Sequence, residues 1–239
     1  MVRGDSTPGA AILFDFNGVL VDDERLHWRA FREVLARLGI ALPRALYNAH
    51  YLAFDDPTAF RAALRDAGWP PARRRRAVVG RLVRQKRLLF RRLCARDGIG
   101  VSSGARRVVR ALSAEVPLAV VSGAARLEVV GALRQAGLLH LFGAIVAAED
   151  VRRCKPGPEG YKKALRRLGM AAGAACIAVE DSPGGIAAAR AAGLRTLGVA
   201  TSYAAPALLR AGAFDVVSSL DRAGKVLRIL RQAMRQDGS

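Results

Sequence analysis

Hydrophobic positions fall into short unbroken runs separated by amphipathic stretches over much of this chain. ILFDFNGVL (12–20) opens as an apolar run, stops at Asp15 and enters a glycine turn. VPLAVVS (116–122), GAIVAA (143–148), ACIAVED (175–181), 194–199 and a run near 214–217 have the length of buried strands. Between them lie amphipathic stretches at 124–136, 158–168 and 184–192, closed by Gly137, Gly169 and Gly193, and a terminal helix starts at 223. Strands alternating with helices at this spacing predict an α/β protein with an open parallel sheet. In such sheets ligands sit at the carboxyl ends of strands. Asp15, Ser122 and Asp181 all occupy such ends.

Residues 22–100 break the rhythm. They read as helices only: 24–38 stopped by Gly39, one near 57–67 stopped by Gly68, and a long one from about 72 to 96 opened by Pro70-Pro71. A helical insert placed directly after the first strand is expected over the carboxyl edge of the sheet, where it can close on a substrate. This gives a core domain of 1–21 plus 101–239 and a cap domain of 22–100. In the long cap helix Val79, Leu82, Val83, Phe90 and Leu93 share one face, and Lys86 falls within that stripe. The simpler expectation for Lys86 is that its ammonium snorkels out to water; the other is that it reaches a substrate anion beneath the cap.

Composition narrows the class. A hydrophobic fraction of 51% excludes a mainly disordered chain. No run approaches eighteen apolar residues, and the start, MVRGDSTPGA, lacks a signal-peptide core, so the expectation is a soluble cytoplasmic protein without a membrane partner. Cys94, Cys154 and Cys176 lack metal-ligand spacing and read as reduced thiols. The net charge of +19 comes almost wholly from arginine, since only five of 39 basic residues are lysine. An Ala- and Arg-rich chain often reflects GC-rich coding. The sharper alternative is an anionic partner, a phosphorylated metabolite or nucleic acid. Arg73 to Arg76 form the densest run, without the interleaved aromatics of a single-strand platform.

The strand-end residues suggest a chemistry. An aspartate that attacks phosphorus needs its anionic substrate neutralised, and the carboxylates of Asp15 and Asp181 suit a hard cation such as Mg2+. A lysine from the Lys155-Pro156 pair, a hydroxyl and turn N–H groups would hold the remaining phosphate oxygens. The order DFNGVL, Ser122, KPGPEGYKKALRRLG and EDSPGGIAAARAAGLRTLGV resembles the haloacid dehalogenase superfamily, and within it the helical-capped phosphatases and mutases similar to beta-phosphoglucomutase and phosphoglycolate phosphatase. The resemblance implies a Rossmann-like core with helices on both faces, an inserted cap, and Mg2+-dependent hydrolysis of a small phosphorylated metabolite. It implies Asp15 as nucleophile and metal ligand, with a metal-binding backbone carbonyl at Asn17. Ser122, Gly123 and Lys155 would bind phosphate, Lys155 would also orient Asp15, Asp181 would be a direct metal ligand, and Glu180 would act mainly through a metal-bound water. His27 resembles a substrate-side position of relatives, and Asp55 and Asp56 fall where related caps place a specificity loop; Lys86 is a substrate candidate from its place on the cap helix alone. Monomer and homodimer both stay open.

Asn17 departs from the pattern, because the family usually has its general acid/base there. An amide cannot donate and then take a proton, so a rate contribution of about 10²–10⁴ is lost, or roughly 3–5 kcal/mol of barrier. Three consequences stay open: slow hydrolysis of ordinary esters, a preference for good leaving groups, or a persistent phosphoenzyme. The alternative is a catalytically impaired relative that binds a phosphorylated ligand or nucleic acid.

Overall fold

The computed structural model describes residues 9–21, 24–51, 54, 56–97, 100–171 and 174–236. The chain divides into two compact units, Met1–Asp22 with Gly100–Ser239, and Asp23–Ile99.

The larger unit is built on six parallel strands: β1 (Ala10–Phe14), β2 (Leu118–Val121), β3 (Ala144–Val146), β4 (Ala175–Glu180), β5 (Arg195–Val199) and β6 (Asp215–Val217). Their order across the sheet is β3-β2-β1-β4-β5-β6. The central register sets Phe14 beside Val120 on one side and Val179 on the other. β1, β2 and β4 are apolar at almost every position because both faces of a parallel sheet are covered. On one face Ala11, Leu13, Ala119 and Val121 join Tyr161, Ala164, Ala188 and Ala189, which belong to α7 (Glu159–Arg167) and α8 (Pro183–Ala191). Side-chain alternation sends Ile12 and Phe14 to the opposite face. α5 (Ser103–Ser113) and α10 (Ala223–Gln236) pack on each other and against β2 and β4. α6 (Arg126–Gln135) and α9 (Ala205–Ala211) complete the unit.

The smaller unit holds α1 (Glu24–Ala36), α2 (Arg44–His50), α3 (Asp56–Asp66) and α4 (Arg76–Asp97). Phe31 lies at its centre, 4.4 Å from the Phe60 ring and about 6 Å from those of Tyr47 and Tyr51. Val79, Leu82 and Val83 bring α4 into the same cluster, while Leu93 packs with Leu26 and Ala30.

The predicted strands and helices appear within a few residues of their expected limits, and the glycines expected to stop helices all adopt positive φ. α2, α5 and α9 stand outside the predicted set. α2 and α9 have seven residues each and no side-chain N-cap, so their sequences carry little helical signature. α5 does carry one: Ser102 accepts the Ala105 N–H at 3.0 Å, and Val108, Val109 and Leu112 repeat at helical spacing. The expectation that Lys86 snorkels outward is corrected. Lys86 is 5% exposed, and its ammonium donates to Asp56 Oδ1 at 2.6 Å and lies 2.8 Å from His27 Nδ1. An acceptor within reach on a neighbouring helix makes the inward rotamer satisfiable, which periodicity cannot reveal.

Candidate active site

The site grows from the carboxyl ends of the central strands. β1 ends at Phe14, and Asp15 still continues the ladder, its N–H donating to Val179 O at 2.9 Å. Chain order reverses between β1 and β4, so their ends open the crevice where ligands of such sheets bind. Lys155 comes from the loop before α7 and ties three strand ends together. Its ammonium donates to Asp15 Oδ1 at 2.7 Å, Val121 O at 3.0 Å and Glu180 Oε1 at 2.6 Å.

Glu180 has no exposed surface, and protein donors occupy both its oxygens. Oε1 accepts from Lys155 and from the Tyr161 hydroxyl at 2.8 Å. Oε2 accepts from the Asp181 and Ser182 N–H groups and the Ser182 hydroxyl. Asp181 accepts a short hydrogen bond from Ser202. One carboxylate oxygen each from Asp15, Glu180 and Asp181 lies within 4.8 Å of the others. Ser122, buried at the end of β2, accepts the Ala124 N–H at 2.9 Å, and Gly123 is exposed at the same turn.

Electrostatics make this cluster unsatisfied. Burial pushes the Asp15 carboxyl up to about 6, against the pull of Lys155 and with the repulsion of Glu180. Burial, then the neighbouring Asp15 and Glu180, push Asp181 well above the carboxylate range. Burial disfavours the Lys155 charge, yet the two carboxylates outweigh it and hold its pKa above the ordinary lysine value. Three carboxylates against one ammonium leave an excess of negative charge. All the donors are hard oxygens, which is the chemistry a divalent cation such as Mg2+ accepts.

Asp15, Lys155, Glu180 and Asp181 are thus brought together by the fold. Ser122 stands at the next strand end, and Asn17 is half-buried in the loop after β1, its backbone bridged to Val21. His27, Lys86 and Asp56 belong to the helical unit, where they contact one another; Asp55 lies outside the described residues. Several further contributors carried no assigned role in the sequence. Gly18 has φ +73°, and a Cβ there would overlap the Asp181 carboxylate, so only glycine lets the loop pass. Gly185 likewise leaves room for the Glu180 carboxylate. Tyr161 sits in the KPGPEGY segment, and its buried phenol was the available signal, since such a hydroxyl needs a partner.

This architecture is a Rossmann-like α/β core with an acidic site at its strand ends, and the family comparison supplies the class, a hydrolase. The chain belongs to the haloacid dehalogenase-like hydrolase family, whose model matches residues 10–193. It is 31% identical over 210 residues to the validoxylamine A 7'-phosphate phosphatase of Streptomyces hygroscopicus subsp. limoneus, covering 83% of this chain and 89% of that one. It is 29% identical to the fructose-1-phosphate phosphatase YqaB of Escherichia coli, covering 80% and 96%. A HAD family hydrolase from Deinococcus radiodurans with bound phosphate and sodium superposes with a TM-score of 0.72 at 31% identity, covering 95% of this chain and 98% of that one.

Proposed function

We propose that the protein is a Mg2+-dependent phosphatase acting on a small phosphorylated metabolite through an aspartyl-phosphate intermediate. One observation carries the reading: Asp15 at the central strand end, bonded to Lys155 and clustered with two further buried carboxylates. The phosphorylated substrates named for the two phosphatase relatives and the phosphate bound by the Deinococcus relative support it.

Asp15 and Asp181 would hold the cation directly with the carbonyl of residue 17, while Glu180, engaged by protein donors, would act behind them. Bound Mg2+ would supply positive charge opposite the phosphoryl oxygens. The remaining work falls to this chain's residues. Lys155 holds one Asp15 oxygen and leaves the other for attack on phosphorus; the Asp15 O–P bond forms as the P–O bond to the leaving group breaks. The Ser122 hydroxyl accepts from Ala124 and keeps its own proton to donate to a phosphoryl oxygen, with the Gly123 N–H beside it. Water then cleaves the aspartyl-phosphate and regenerates Asp15. Asn17 cannot protonate the leaving oxygen or deprotonate that water, so the first step is slow for poor leaving groups and the second is slow whichever group has left. We assign substrate choice to the helical unit as cap, through His27, Lys86 and Asp56; an incoming anion would have to displace Asp56 from Lys86. Cys94, Cys154 and Cys176 form no disulfide among the described residues, which fits a reducing compartment, and we assign the protein to the cytoplasm. Among the described residues no helix is long and apolar enough to cross a membrane.

The test is phosphate release from sugar phosphates, phosphoglycolate, nucleotides and acetyl phosphate, with Mg2+ and with chelator, for the unmodified protein, Asp15→Ala and Asn17→Asp. The expected result is metal-dependent turnover absent from Asp15→Ala, raised about 10²–10⁴-fold on alkyl phosphates in Asn17→Asp. Silence from both the unmodified protein and Asn17→Asp would favour a ligand-binding relative.

A further inference from the structure

The charge of this protein is unevenly distributed. The helical unit Asp23–Ile99 carries 18 basic and 7 acidic residues, a net +11 in 77 residues. The larger unit carries 21 and 13, a net +8 in 162. Much of the excess lies on α4, which is acid-free until its last residue, Asp97.

Arg76, Arg81, Arg84, Arg87, Arg91 and Arg92 are all exposed. At 100° per residue they fall within about 160° of one another around the helix, opposite the buried stripe, over about 24 Å of its length. None of the six forms an ion pair or hydrogen bond with a described residue. Arginines of the larger unit behave differently. Arg126 and Arg167 bind Asp150, Arg231 binds Glu115, and Arg106 binds two backbone carbonyls. Exposed Arg222, Lys225 and Arg228 also follow at spacings of three along the start of α10, but Arg231 in that same row is held by Glu115. The α4 row is longer and unpaired among the described residues: Arg81, Arg84, Arg87 and Arg91 follow at spacings of three and four, where like charges repel and destabilise a helix. An anionic partner relieves that repulsion.

We propose that the outer face of α4 binds the phosphodiester backbone of duplex nucleic acid, independently of sequence. Guanidinium groups suit phosphate oxygens through paired N–H donors. A rigid row of about 24 Å matches the uninterrupted charge of a duplex, which carries a phosphate about every 1.7 Å of axis. The face interleaves Ala77 and Leu88 and no aromatic ring, so it offers no stacking platform for a single strand. Val79, Leu82, Val83 and Leu93 of α4 are buried in its own unit and Leu89 and Phe90 partly so, which leaves Leu88 as the exposed large apolar side chain, too little to insert the helix into a membrane.

The experiment measures binding of a short labelled duplex of mixed sequence between about 50 and about 200 mM salt. It compares the unmodified protein, Arg81→Gln/Arg84→Gln/Arg87→Gln/Arg91→Gln, and a charge-matched control, Arg110→Gln/Arg210→Gln/Arg222→Gln/Arg228→Gln, from exposed positions of the larger unit. The expected result is a steep loss of affinity with salt whose log–log slope falls by about 3 to 4 in the α4 variant and by less than about 1 in the control. Helix content by circular dichroism checks folding; should the fourfold variant not fold, the Arg81/Arg84 and Arg87/Arg91 pairs replaced separately should each give half the effect. Absence of binding by the unmodified protein at the lowest salt overturns the proposal, as do equal slope changes in the two variants. Tighter α4-dependent binding to phosphatidylserine vesicles than to duplex also overturns it, making the partner a membrane.

Discussion

Each unit of the molecule sets a lysine ammonium beside carboxylates, and the two surroundings are balanced differently. Lys155 faces Asp15 and Glu180 with Asp181 close by, so one ammonium serves three acids. Lys86 faces Asp56 and the His27 ring, which is stacked on Phe90 at 4.1 Å, so one ammonium meets one acid and an imidazole. The first cluster has charge left over and the second does not. A surplus of buried carboxylate is sustained only where something else supplies positive charge, and that surplus distinguishes a site that receives a cation from a pair whose charges already balance.

The largest effect should come from removing the lysine of the unbalanced cluster. Lys155→Met leaves buried carboxylates uncompensated, at a cost of about 3–5 kcal/mol in chelator. Denaturant unfolding should recover part of this in Mg2+, and phosphate release should fall about 10²–10³-fold. Equal losses with and without Mg2+ would break the comparison.

Next comes the buried acid itself. The Asp15 pKa is raised from 3.8 to about 6, so above pH 6 its ionised form carries the full penalty in the folded state. As pH falls from 6 toward 4 the folded chain takes up a proton that the unfolded chain does not, and the penalty disappears. In chelator at pH 7, Asp15→Asn should therefore be more stable than the unmodified protein, by up to about 3 kcal/mol. The difference should shrink toward pH 4 and be abolished by Mg2+ at pH 7. A pH-independent difference in thermal melting would rule out Asp15 ionisation as its source.

The balanced pair should respond less. Lys86→Met costs about 1–3 kcal/mol, because Asp56 is partly exposed and keeps some hydration. Its loss should be the same in Mg2+ and in chelator, since no cation belongs there. A Mg2+-sensitive loss would show that the two clusters are coupled.

Much of the fold was legible because its signals are local. Apolar runs of strand length, amphipathic stretches and the glycines ending them depend on residues a few positions apart, and these were read within a few residues of their limits. Asp15, Glu180 and Asp181 could be picked out because strand ends are where a parallel sheet opens. Short α2 and α9 left little trace, having neither a side-chain cap nor two full turns of periodicity to read.

By itself the sequence determined the alternation of strands and helices, the helical insert after the first strand, and the acids at strand ends. Tertiary structure decided which side chains meet. Lys155 reaches Asp15 across 140 positions of sequence because sheet order sets β1 between β2 and β4. Tyr161 became the partner of Glu180 when α7 packed on the sheet face, and Lys86 turned inward because Asp56 and His27 lay within reach. Periodicity fixes the face on which a side chain lies, but a buried polar group takes its direction from its partner, and packing across the fold supplies that partner.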